Sequence, residues 1–195
     1  MWAGCDPGGK DRFGVATVDG SGNTRCATVS SVDQAASWIN ASGTTIGLGI
    51  DAPMWWSACA GGGRKADARL RRAYGIASGT VQSVNSLQGA VLVGGLLLAS
   101  QMRVTVPGVP ITEAHPKALL LALGLDGASF ARRFGIRQAW SDDHQRDAAI
   151  AAVCAREGFS RNWTVDLATD RHELEQDPHS YWLAPVFYFW PESIP

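Results

Sequence analysis

Three carboxylates stand where short apolar runs end. Asp6 closes WAGC (2–5), Asp51 closes TIGLGI (45–50), and Glu113 closes the run 109–112. Two of them precede proline closely, as Asp6-Pro7 and Asp51-Ala52-Pro53. One such pair alone would mark only a turn after a strand. Three acids matter more if the strands are parallel, because the carboxyl ends of parallel strands form the usual ligand crevice of an α/β sheet. A fourth acid, Asp147, begins a helical face that continues through Ile150, Ala151 and Cys154. Residues 148–155 carry no polar side chain except the Cys154 thiol, so Asp147 is expected to be buried. A buried carboxylate needs a partner, either an arginine such as Arg12 or a metal ion. Asp143 lies one turn earlier and His144 three residues before Asp147; Asp142 and Asp143 also suit a helix N-terminus on dipole grounds.

Clustered carboxylates repel one another unless a cation sits between them. Oxygen donors with few histidines and no thiolate pattern suit Mg²⁺ or Mn²⁺. Two such ions about 4 Å apart activate water and stabilise the leaving oxygen in phosphodiester cleavage. The expected chemistry is therefore that of a metal-dependent nuclease or phosphodiesterase. Residues 64–72 add a compact basic segment, with Arg64, Lys65, Arg69, Arg71 and Arg72 against Asp67. It follows Asp51 after a glycine-rich stretch. That placement favours a lid holding phosphates through Arg64, Lys65, Arg69 and Arg72 over an ordinary solvated helix face. His115 and Lys117 flank Pro116 beside Glu113, and Lys117 is a further phosphate-binding candidate. Trp55 and Trp56 are of a type that stacks on bases, but read better as core or loop anchors.

Positioning these residues requires strands at 2–6, 13–18 and 24–30, joined by turn-rich PGGKDR and DGSGN. A helix over 32–41, capped by Ser31, then leads to a buried strand at 45–50. Further helices are predicted at 64–72, 87–102, 116–123, 128–133 and from Ser141 to about Glu157, with a short strand before Glu113. The 87–102 helix is apolar enough to be expected buried. A meander followed by alternating helix and strand implies an α/β mixed sheet flanked by helices. Helix 32–41 is a crossover, so strand 45–50 should lie parallel to one of the first three. We expect a single domain over 1–195, with a basic insertion around 52–83 and an acidic, then aromatic, extension over 160–195. The tail YWLAPVFYFW (181–190) is expected to pack on the core or on another subunit, as in a homodimer.

The chain has 195 residues, 46% hydrophobic and 18% charged, which excludes a disordered protein. Its formal net charge of -1 is a cancellation: residues 1–165 carry 16 basic and 12 acidic side chains, residues 166–195 one Arg and six acids. A uniformly basic nucleic-acid binder is excluded; a local nucleic-acid contact is not. Cys5, Cys26, Cys59 and Cys154 form no CxxC pair, so reduced thiols are expected. MWAGCDPGGK lacks a basic stretch followed by an apolar core, and no apolar run reaches the ~20 residues of a bilayer span. A cytoplasmic protein with no membrane association is the expectation.

These pieces resemble a known arrangement. The β-β-β-α-β opening, Asp at the end of strand one, Asp after strand four and Asp on the last helix resemble the ribonuclease H-like fold. Asp6-Pro7-Gly8 followed by Gly14 resembles the opening of Holliday-junction resolvases, and His144-Gln145-Arg146-Asp147-Ala148 their last-helix motif. More closely, the chain resembles the domain-of-unknown-function family 429, predicted nucleases of that fold. The matching pieces are GCDPGGKDRFGVA (4–16), GIDAPMWW (49–56), GRKADARLRR (63–72), TEAHPKALL (112–120) and SDDHQRDAAIAA (141–152). The resemblance implies Asp6, Asp51 and Asp147 as ligands of one or two Mg²⁺ or Mn²⁺ ions. Glu113 and Asp143 are further candidate metal ligands, and Glu113 and His144 further candidate catalytic residues. The resolvases' fourth acid sits three residues before the last Asp, where this chain has His144 and the nearest acid is Asp143. Two other classes remain open. A phosphotransferase of the actin and sugar-kinase superfamily would use DPGG as a phosphate loop. A non-catalytic nucleic-acid or protein binding module would keep the fold without the chemistry.

Overall fold

The computed structural model describes residues 1–171 and 185–191. Strands β1 (Trp2–Asp6), β2 (Phe13–Val18) and β3 (Thr24–Val29) form an antiparallel meander. Asp19 shapes the β2–β3 turn by accepting from the backbone N–H of Ser21 and Asn23 at 2.8 and 2.9 Å. Helix α1 (Val32–Ala41), capped by Ser31, carries the chain across to β4 (Gly47–Ile50), which pairs parallel with β1. Strand β5 (Ile111–Glu113) adds parallel to β4, giving a five-stranded mixed sheet in the order β3-β2-β1-β4-β5. Three neighbouring parallel strands therefore end at one edge.

The two faces of this sheet are covered differently. Helix α6 (Asp143–Phe159) lies on the face formed by Gly4, Gly14 and Gly49. A Cβ at any of these glycines would collide with α6 backbone, at Ala148 and Ala152, at His144 and at Ala151 respectively. The helix answers with fully buried alanines at 148, 151 and 152. Helix and sheet thus meet almost backbone to backbone, a fit that interiors packed near crystal density tolerate only with side chains this small. The α6 N-cap, Asp142, accepts from Gln145 N and from Thr28 Oγ1 of β3, both at 2.8 Å. That bond sets the rotation of the helix on the sheet.

Ile50 points to the other face, since side chains alternate along a strand. There it meets helix α3 (Gly89–Thr105) at Gly95. The apolar α3 was expected to be buried. Instead it buries Gly94, Gly95, Leu98, Ala99 and Met102 and exposes Val93, Leu97 and Val104, by 53%, 54% and 79%. The paired glycines supply the close approach, Leu98 and Met102 fill the space beside them, and Val93, Leu97 and Val104 face outward.

The segment between β4 and α3 contains helix α2 (Lys65–Tyr74), and its Trp55, Ala66, Leu70, Ile76 and Val81 join the main core. It is part of the body of the protein rather than a loose lid. Helices α4 (Pro116–Leu123) and α5 (Gly127–Arg133) follow β5. Within the aromatic tail, Val186, Tyr188 and Trp190 are buried in this chain's own core, while residues 181–184 lie outside the described residues. Phe187 bridges to Thr112 of β5, and β7 (Phe189–Trp190) pairs antiparallel with β6 (Val165–Asp166). All four cysteines are free thiols. No helix among the described residues is long and apolar enough to cross a membrane.

Candidate functional site

Asp6, Asp51 and Asp147 come together at the carboxyl edge of the sheet. Strand β1 delivers Asp6, and Asp51 follows β4 one register step past the Cys5–Ile50 pair. Both acids share a face with the glycines under α6, since each lies two residues beyond one of them (Gly4 and Gly49). Helix α6 supplies Asp147 on that face, almost completely buried.

Each carboxylate has a different environment. Asp6 Oδ2 lies 2.7 Å from His144 Nδ1, which donates to it when protonated there. Asp147 Oδ1 accepts from Arg146 Nε and pairs with its Nη2, at 2.9 and 2.8 Å, and its Oδ2 lies 4.0 Å from Lys117 Nζ. Asp51 receives no hydrogen bond from any described residue. Burial pushes Asp6 up to about 6, Asp147 adds to the rise, and the His144 bond opposes it. Burial, then the charges of Asp6 and Asp147, raise Asp51 well above the usual carboxylate range. Asp147 is raised by burial and held back by Arg146 and Lys117. Asp51, raised by both Asp6 and Asp147 and given no hydrogen bond by any described residue, marks a place short of positive charge.

Glu113 does not join them. It pairs with Ile50, and the next residue, Ala114, donates its N–H to the carbonyl of Ile50. Glu113 is thus level with Cys5 and Ile50, one position out of step with Asp6 and Asp51, and its side chain leaves the opposite face. There it meets Arg64, which donates to Oε1 and Oε2 at 2.6 and 2.8 Å. Arg64 also donates twice to Asp67, at 2.8 Å each, and its guanidinium stacks 4.2 Å over the Trp55 ring. With Arg64, Asp67 and Glu113 all at most 2% exposed, this is a closed ion triad.

The basic segment is distributed accordingly. Arg64, expected to hold phosphate, is committed to the triad. Lys65 and Arg69 pair with Asp170 at 2.6 and 3.1 Å. Arg72 is exposed and does not line the cleft. Asp143 is 77% exposed and shares the Arg146 guanidinium with Asp147, whose carboxyl its charge helps to raise, but it does not line the cleft. Lys117 does reach the site. Trp55 is a core residue, and Trp56 donates to Asn85 at 3.2 Å.

Asp6 and Asp51 open into a cleft of about 380 Å³, which Asp147 does not line. Arg12, Lys117 and His144 line it, as do Thr80, Gln82, Leu87, Gln88 and Val91 from the stretch between α2 and the first turn of α3. His115 also lines it; its buried Nδ1 has no partner, and burial pushes its pKa down to about 4, so the ring is neutral. Neither the lining residues Thr80, Gln82, Leu87, Gln88 and Val91 nor Arg146 stood out in the sequence. These lining residues are ordinary loop and helix-start types, and Arg146 was hidden beside the acid it serves.

The donor set is chemically apt for a hard cation, with three carboxylates and no thiolate. Among the described residues, however, no group of three or more His, Cys, Asp or Glu side chains is already arranged to hold a metal ion. His144, Arg146 and Lys117 occupy the positions next to the carboxylates where cationic charge is needed.

Fold and site together define an α/β protein with an acidic cleft at the carboxyl ends of parallel strands. Compared with protein-family models, curated proteins and solved structures, the chain matches none.

Proposed function

We propose that this protein is a metal-dependent hydrolase of phosphodiester bonds, a nuclease or a related phosphodiesterase, on a ribonuclease H-like sheet. The observation that carries the proposal is the convergence of Asp6, Asp51 and Asp147 from β1, β4 and α6 at one edge of the sheet, where Asp6 and Asp51 line a cleft and are raised first by burial and then by neighbouring acidic charge. The order of elements and the positions of the three acids also support kinship with the family 429 nucleases. Asp6, Asp51 and Asp147 would hold one or two Mg²⁺ or Mn²⁺ ions, which supply an activated water and charge stabilisation at the phosphate.

The chain's own groups have separable roles. Lys117, 61% exposed and beside Asp147, binds a phosphate oxygen. The first turn of α4, which has no side-chain cap and begins next to His115, adds its N–H dipoles. His144 orients Asp6 through Nδ1 and is placed to carry a proton at its other ring nitrogen. Arg146 holds the rotamer of Asp147.

Isothermal titration with Mg²⁺ and Mn²⁺ tests the proposal. Binding is expected in the wild type and strongly weakened in Asp6→Asn with Asp51→Asn. No binding at millimolar metal, or unchanged binding in that variant, would sink it. A panel of DNA, RNA, hybrids and junctions with Mn²⁺, run beside Asp147→Asn, then reads activity. One ion bound only with a nucleotide would instead favour the phosphotransferase reading, and no ion at all a binding module.

A further inference from the structure

We infer that the part of the cleft lined by Thr80, Gln82, Leu87, Gln88 and Val91 is a nucleoside-binding subsite, and that the substrate is a phosphate ester of single-nucleotide size rather than a duplex. The inference rests on the hydrolase reading for where the phosphate goes. Three observations carry it. The cleft, at about 380 Å³, falls at the small end of the ~300–1,000 Å³ typical of small-molecule sites. Its lining mixes two chemistries: Asp6, Asp51 and Lys117 are charged, while the stretch between α2 and the first turn of α3 contributes neutral amides and a hydroxyl with the apolar Leu87 and Val91.

These polar groups are available to a ligand. Among the described residues the Gln88 amide and the Thr80 hydroxyl make no hydrogen bond, and Gln82 uses only its Nε2, on Gly79 O at 3.0 Å. A carboxamide presents a donor and an acceptor in one plane, the pattern that matches the edge of a heterocyclic base. Leu87 and Val91 provide the apolar surface that such a ring covers.

The third observation is electrostatic. Duplex binders neutralise many phosphates, about 6–10 in typical cases. The cations lining this cleft are Arg12, Arg64 and Lys117, and Arg64 is enclosed in its triad with Glu113 and Asp67. Among the residues lining the cleft, two available cations suit one phosphate group.

The test is equilibrium binding, with Mg²⁺ present, of adenosine and thymidine 5′-monophosphates, inorganic phosphate and a short DNA duplex. We expect at least one mononucleotide to bind about tenfold or more tighter than inorganic phosphate, and Gln88→Ala to remove most of that gain while leaving phosphate affinity unchanged. Gln88 is exposed at the helix start, so this variant should keep the wild-type melting temperature. Mononucleotides binding no tighter than phosphate, a Gln88→Ala variant with undiminished nucleotide affinity, or a duplex that binds more tightly than either nucleotide would each overturn the inference. Metal titration on the same samples reports on the hydrolase reading separately. Nucleotide binding without metal binding would remove that reading and leave the subsite standing.

Discussion

Arg64 and Glu113 form a two-armed ion pair inside the protein, with Nη2 2.6 Å from Oε1 and Nη1 2.8 Å from Oε2. The pair links the segment after β4 to the end of β5, and so fastens one wall of the cleft to the sheet. Glu113 also accepts from Met54 N at 3.0 Å, which ties down the start of the same segment.

Breaking this pair should cost more than removing any of the three clustered aspartates. Arg64→Ala leaves Glu113 and Asp67 buried without a counter-charge, for which about 3–5 kcal/mol is typical. Urea unfolding of Arg64→Ala and of Glu113→Gln should both show large losses. A Glu113→Gln variant of full stability that has lost metal binding would instead make Glu113 a ligand.

The clustered acids should behave oppositely. Asp6 has a folded value of about 6 against an ordinary 3.8, so between those values the fold retains a proton that the unfolded chain has released. Stability therefore falls as pH rises through that window, and Asp51, raised in the same direction, adds to the fall. Asp51→Asn, which loses no hydrogen bond, should be more stable than wild type by roughly 1–3 kcal/mol near pH 7, with the gain shrinking towards pH 4. Thermal melts at the two pH values measure this. Millimolar Mg²⁺ should stabilise the wild type and not the variant; the same shift in both would argue against a metal at Asp51.

His144 lowers the Asp6 value through its hydrogen bond. In His144→Ala the carboxyl should titrate higher than in wild type, read by the NMR shift of the Asp6 carboxyl carbon. If hydrolysis is observed, the same variant should lose about 10²–10⁴-fold in kcat, as expected when a proton carrier is removed. An unmoved Asp6 titration would show that the 2.7 Å contact is not maintained in solution.

Gly49→Ala tests the seating of α6. The added methyl would strike the carbonyl of Ala151, and overpacking of this kind costs about 1–3 kcal/mol or more. Because Asp147 rides on the same helix, metal affinity should fall along with stability. Ala substitution at exposed Gly9, where a Cβ meets nothing, is the control.

The elements were readable from local signals. Helices were expected at 32–41 and 116–123 and are found at Val32–Ala41 and Pro116–Leu123, because caps and apolar spacing act within a few residues. The last helix starts at Asp143 rather than Ser141, with Asp142 taking the cap. That Asp6 and Asp51 would follow neighbouring strands and that Asp147 would be buried also followed from local context: two acids after apolar runs and one beginning an apolar helix face.

The fate of Glu113 did not follow. As the acid that closes an apolar run it looked equivalent to Asp6 and Asp51. Strand pairing sets it level with Ile50 instead of Asp51, and one residue of register sends a side chain to the opposite face. Arg64, 49 residues away in the chain, then closes on it, turning an expected phosphate ligand into part of the frame. Caps and periodicity are written into neighbouring residues. Register between strands and pairing of buried charges depend on which distant segments meet, and that is a property of the packed chain.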